Sequence, residues 1–226
     1  MHTAQPTQIS AFTFILAASL AACSGSAEPP RATVEETPTA TLPTAADEHA
    51  GAPEAPQAVA VRLAFGPQTQ SKVEFVGAKI TATHDGSFER FAGTVDLVPG
   101  HIEQSRVNVD IGMESLKIEP ERLAGHLRTA DFFDVAQYPR TTFTSTSIVA
   151  GGANGATHTI TGTLAMHGAS KQISFPATIA ESPTEVTARA EFVINRRDFN
   201  IVYPGMPDDL IRDDVTIKLT IRAPRS

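Results

Sequence analysis

Strict alternation of apolar and polar residues constrains this chain more than any other feature. Val215, Ile217, Leu219 and Ile221 are separated by Thr216, Lys218, Thr220 and Arg222, the mark of a strand with one buried face. The same period runs through Val107-Val109-Ile111-Met113, Ile160-Gly162-Leu164-Met166, Ile173-Phe175-Ala177-Ile179 and Val186-Ala188-Ala190-Phe192-Ile194. Weaker runs are Val61-Leu63-Phe65, Val73-Phe75, Phe91-Gly93-Val95-Leu97 and Thr142 to Val149. Turn residues punctuate them at Asp85-Gly86, Pro99-Gly100, 151–155, His167-Gly168 and Ser182-Pro183. About eight or nine strands are expected after Val59. One stretch, Glu119 to Tyr138, breaks the pattern: Pro120 suits a first helical turn, and Leu123, His126 and Leu127 recur at helical spacing. One short helix among many antiparallel strands predicts an all-β barrel or sandwich. A closed barrel of about eight strands leaves room inside for side chains or one slender ligand.

The part before Val59 is of a different kind. Ile9 to Ala22 is an apolar run too short to span a bilayer, which needs about 20 residues. Its length matches the apolar region of a secretory signal peptide, although Met1 to Ser10 carries no Lys or Arg, so a start further upstream is conceivable. Leu20-Ala21-Ala22-Cys23 resembles a bacterial lipobox and holds the only cysteine. The resemblance implies cleavage before Cys23 and lipid attachment there, palmitate included. Two or more acyl chains make such an anchor stable. Ser24 at the next position points, by analogy, to the outer membrane. Residues 24–58 are rich in Ala, Pro, Thr and Glu, with only Val34 and Leu42 as larger aliphatics, and are expected to be a disordered tether. Glu28, Glu35, Glu36, Asp47, Glu48 and Glu54 face only Arg31 there, so most of the chain's net charge of −7 sits on this stretch. The expected organisation is a signal peptide over 1–22, an acidic tether over 23–58 and one domain over 59–226. The lone cysteine excludes a disulfide framework within a monomer, and the near-neutral domain argues against nucleic acid as partner.

Further segments carry a resemblance. These are Ser71-Lys72-Val73-Glu74-Phe75, 86–95 (Gly-Ser-Phe-Glu-Arg-Phe-Ala-Gly-Thr-Val), 123–134 (Leu-Ala-Gly-His-Leu-Arg-Thr-Ala-Asp-Phe-Phe-Asp), Tyr138-Pro139 with Thr142-Phe143-Thr144-Ser145, 160–168 (Ile-Thr-Gly-Thr-Leu-Ala-Met-His-Gly) and Ile194-Asn195-Arg196-Arg197-Asp198-Phe199. In order and spacing they resemble the YceI-like family of periplasmic, lipocalin-like barrels that bind polyisoprenoid lipids. The resemblance implies an eight-stranded antiparallel barrel, a short helix near one opening and a long apolar tunnel. The chain departs from the family pattern at Val76-Gly77-Ala78-Lys79-Ile80, where many members carry a His, and at Phe199-Asn200, where Phe-Gly is common, while the 203–213 loop resembles a subgroup feature.

The expected tunnel wall is Phe88, Phe91, Val95, Val107, Val109, Ile111, Phe132, Phe133, Phe143, Leu164, Phe175 and Phe192. With no Trp and two Tyr, such an interior offers few polar handles, which suits linear greasy ligands. The segment 123–134 reads either as a plug or as a gate over the mouth. His126 and His167 are candidate contacts to a lipid head group. His84, His101, His126, His158 and His167 show no metal-ligand spacing, His84-Asp85 reads as a turn contact, and Asp208, Asp209, Asp213 and Asp214 lack calcium-loop spacing. No G-x-S-x-G elbow or Gly-rich phosphate loop occurs. The expected function is a binder, not an enzyme: a membrane-tethered periplasmic protein carrying a polyisoprenoid or quinone-tailed lipid, with no metal or cofactor. Its oligomeric state stays open between monomer and homodimer. The competing readings are an enzyme acting on lipid or quinone through His84, His126 or His167, and a stress or interaction protein with a filled core.

Overall fold

The computed structural model describes residues 28–36 and 59–225. In chain order the elements are β1 (Thr33–Glu36), β2 (Val61–Phe65), β3 (Lys72–Ala78), β4 (Thr83–Phe88), β5 (Phe91–Leu97), β6 (Arg106–Gly112), β7 (Leu116–Ile118), α1 (Glu121–Leu127), β8 (Arg140–Ala150), β9 (His158–Met166), β10 (Ala169–Glu181), β11 (Glu185–Asn195), β12 (Gly205–Met206), β13 (Asp209–Leu210) and β14 (Asp214–Pro224). Three strands of the barrel are bent: β2 with β3, β4 with β5, and β6 with β7 each act as one. The first two form a single hairpin, with Val61 opposite Leu97, Phe65 opposite Gly93 and Ala78 opposite Thr83. Antiparallel pairing then runs through β6, β8, β9, β10, β11 and β14, and β14 returns to β3 with Ile217 opposite Phe75. Eight long strands thereby close into an up-and-down barrel, and closure removes the exposed edges of an open sheet.

Alternation places its apolar members inside. Val215, Ile217, Leu219 and Ile221 of β14 face the interior together with Val107, Val109 and Ile111 of β6 and Ile173, Phe175 and Ala177 of β10. Where a strand bends, a buried serine repairs the ladder. The Ser71 hydroxyl accepts the Arg222 N–H at 2.9 Å, Ser115 accepts that of Arg90 at 2.9 Å, and Ser145, at the bulge in β8, accepts that of Val107 at 2.8 Å. Glycine makes room for rings elsewhere on the inner face. A Cβ on Gly93, Gly86 or Gly162 would lie 2.0, 2.3 or 2.5 Å from a ring carbon of Phe65, Phe75 or Phe143 respectively.

The expected helix is shorter than the stretch that suggested it. Pro120 precedes α1 in extended conformation, and after Leu127 the chain proceeds by turns to Tyr138.

Residues 28–36 correct the expectation of a tether there. β1 pairs antiparallel with β10, Val34 opposite Ile173 and Glu36 opposite Lys171. Just before it, the Ala32 N–H donates to Val193 O at 2.8 Å and the Val193 N–H to Pro30 O at 2.9 Å. Beyond their hairpin end, Thr178–Glu181 against Val186–Arg189, β10 and β11 are not paired with each other, and this segment occupies the seam. Ala32 is buried against Ile173, Phe192 and their neighbours. Arg31 forms a two-armed bridge to Asp214, and Glu36 pairs with Lys171. An apolar pair and two ion pairs on an otherwise unpaired edge outweigh a disorder-prone composition.

Candidate functional site

The interior is not filled. An apolar cavity of about 730 Å³ runs through the barrel, within the roughly 300–1,000 Å³ of small-molecule sites. At one end Leu97, Ile102, Val186 and Ala223 close it. At the other it reaches Lys79, His84, Arg122, His126, Tyr203 and Met206, where α1, the β3–β4 turn and the β12–β13 hairpin meet. α1 therefore lies beside the opening, as expected.

Every residue predicted to line the tunnel does so except Phe91. That ring is buried with Leu63, Phe65 and Val95 in a packed cluster. Along the cavity Phe175 stacks on Phe192 (centroids 4.2 Å apart, 13° between planes) and tilts against Phe143 at 5.7 Å. Nearer the mouth Phe88 touches Phe75 at 5.6 Å and Phe133 at 6.4 Å. Such contacts add about 0.5–1.5 kcal/mol each beyond simple burial. Sequence reasoning named Phe75, Ile173, Ile217 and Leu219 as strand residues without assigning them to the wall; the signal was their shared phase. Thr141 also lines the cavity, and its buried hydroxyl has no partner among the described residues.

The polar mouth groups are largely committed. His126 Nε2 meets Asp131 at 2.8 Å, and its ring abuts Phe132 and Tyr203 edge-on at 5.1 and 5.3 Å. His84 Nδ1 donates to Glu119 O at 3.2 Å. Lys79 pairs with Asp209, and this hydrogen bond holds the Asp209 carboxyl below the usual carboxylate range. His167 is not brought to His126: its Nδ1 donates to Phe199 O at 3.1 Å, its ring packs on Tyr138 at 4.8 Å, and it does not line the cavity.

Arg196 fixes the far side of the mouth. It is 4% exposed and donates to Ile201 O at 2.6 Å, Arg212 O at 3.2 Å and Asp213 at 2.8 Å; burial lowers its pKa despite that carboxylate. Asp214 belongs to Arg31, whose hydrogen bond lowers its pKa. Asp209, Asp213 and Asp214 thus serve ion pairs, and among the described residues no three His, Cys, Asp or Glu side chains gather as a metal site. Cys23 lies outside the described residues.

A closed antiparallel barrel around a one-ended apolar cavity defines a small-ligand-binding barrel of the lipocalin-like class. Residues 67–223 match the YceI-like domain, and the chain belongs to that family. A UPF0312 protein of Pseudomonas putida is 32% identical over 139 residues, covering 59% of this chain and 71% of that one. Protein YceI of Escherichia coli is 34% identical over 122 residues, covering 51% and 62%. Among solved structures, BcnA of Burkholderia cenocepacia superposes with a TM-score of 0.60 at 26% identity, covering 68% of this chain and 96% of that one. A polyisoprenoid binding domain from Saccharophagus degradans gives 0.58 at 16% identity, covering 73% and 99%.

Proposed function

We infer that the protein carries a linear isoprenoid-type lipid, a polyisoprenoid or a quinone with such a tail, in the barrel cavity. One observation carries this reading: the cavity is lined mainly by aliphatic and phenyl groups and ends against the buried Leu97, Val186 and Ala223. Burial of each CH₂ gains about 0.8 kcal/mol, so about 25 carbons gain roughly 20 kcal/mol gross, from which the ordering of chain and wall must be subtracted. The Saccharophagus neighbour, a polyisoprenoid binding domain by name, supports the same class of cargo. Lipid attachment at Cys23 would hold the barrel in the bacterial envelope, facing the periplasm and in the outer membrane. The protein acts by sequestering or ferrying its cargo, and no catalytic step is assigned to it. Organic extraction of the purified protein followed by mass spectrometry tests the reading. A prenyl chain present in stoichiometric amount is the expected result. Protein that yields none and takes up none when offered ubiquinone or geranylgeraniol overturns it.

A further inference from the structure

The opening is rimmed by aliphatic side chains that the fold leaves in solvent. Among the described residues Ile80 is 62% exposed, Val202 58%, Met206 63% and Leu210 46%. Three of them are held together: the Ile80 N–H donates to Leu210 O at 3.1 Å, Lys79 bridges to Ile211, and Met206 sits in the two-residue pairing of β12 with β13. Met206 also lines the cavity, so the exposed apolar rim adjoins the tunnel at that residue. Exposed apolar patches of this kind mark interaction sites.

The N-terminal segment indicates what covers them. Pro30 is bonded to Val193, two residues from the end of β11, and Arg31 to Asp214, the first residue of β14. Both lie at the mouth end of the barrel. A free spacer from Cys23 to Val59 could extend to about 120 Å, whereas the five residues from Cys23 to Glu28 reach at most about 18 Å. An anchor at Cys23 therefore keeps the mouth half close to the bilayer. An apolar cargo leaving the tunnel also needs an apolar phase to enter.

We propose that the barrel docks mouth-down on a lipid bilayer, with Ile80, Met206 and Leu210 seated in the interfacial region. The inference rests on the lipid-carrier reading and names the surface with which the cargo is exchanged. Its test uses the full chain reconstituted into phosphatidylethanolamine–phosphatidylglycerol vesicles that contain a phospholipid with a nitroxide on its acyl chain. A bimane fluorophore is attached at Ile80→Cys, at Leu210→Cys or, on the opposite end of the barrel, at Val149→Cys; the Cys23 thiol, taken up in the lipid anchor, does not react, and the unsubstituted chain carried through the same labelling is the blank. Ile80 and Leu210 do not line the cavity, so neither change alters the cargo site. Quenching at positions 80 and 210 at least threefold stronger than at 149 is expected. Equal quenching at all three positions, or none at any, overturns the proposal. Organic extraction of the same samples separates the two readings. Lipid in the barrel with position 80 unquenched defeats docking alone; quenching at 80 with a barrel that is empty and takes up neither ubiquinone nor geranylgeraniol supports docking and defeats the cargo.

Discussion

Replacing Gly93 by alanine should damage both the packing and the tunnel. A Cβ there would stand 2.0 Å from Phe65 Cζ, while non-bonded carbons settle at about 3.5–4.0 Å, so the ring must retreat by about 1.5–2 Å. Phe65 is 1% exposed and has no surface to move into, only the cavity it lines. An off-rotamer phenyl costs about 0.5–1.5 kcal/mol, and overpacking in a core costs about 1–3 kcal/mol in total. Against this, alanine restricts the unfolded chain more than glycine and returns about 0.4–1 kcal/mol. The net loss is about 1–2 kcal/mol, a fall in Tm of about 2–8 °C at roughly 2–4 °C per kcal/mol for a domain of this size. Gly77→Ala is the internal control, because a Cβ there meets nothing within 4 Å, and its Tm should hold or rise slightly. Differential scanning calorimetry on lipid-free protein reads both, and extraction should recover less lipid from Gly93→Ala. Equal melting temperatures for the two variants would refute the argument that the ring fills the space above the glycine.

Arg196→Met removes the donor shared by Ile201 O, Arg212 O and Asp213; Asp213 keeps Arg197, so the loss is mainly that of the buried Ile201 carbonyl, about 1–3 kcal/mol, and amide exchange across 200–213 should rise, with Arg196→Lys a poor rescue. Phe192→Ala should cost about 3–5 kcal/mol in denaturant melts of empty protein and less when lipid is bound, since cargo can occupy the vacated space; an equal loss in both states would place Phe192 outside the cargo wall. Asp214 is held below its ordinary pKa by Arg31, so its contribution is full above the unfolded value of about 3.9 and disappears as pH falls through the lower folded value. NMR signals of the β1 amides should therefore shift toward free-chain positions in acid before the barrel signals do, and Asp214→Asn should already show that shift at pH 7.

Much of the wall was legible because closure and burial act through a period of two that any sequence displays. The inner faces of β6, β9, β10, β11 and β14 follow directly from Val107, Ile160, Ile173, Val186 and Val215 taken two at a time. The bends were not legible: Ser71, Ser115 and Ser145 are ordinary surface-type residues until the backbone turns toward their hydroxyls. Phe91 shared the phase of Val95 yet left the cavity, since phase selects a face and not a depth along the barrel. His126 and His167 lie far apart in sequence, and only the turn geometry decided that His167 would bond Phe199 instead of reaching the mouth. β1 was hidden because composition averages over 35 residues while docking needs four, and the partner of its Glu36 lies 135 positions away.

The position of β1 bears on where this domain ends. Similarity to the family begins at residue 67, inside the bend after β2, and a boundary drawn by composition falls at Val59. A fragment cut at either point discards Ala32 and Val34 and leaves Ile173 and Phe192 facing water through an open seam. The folding unit thus reaches back at least to Pro30, ahead of both boundaries.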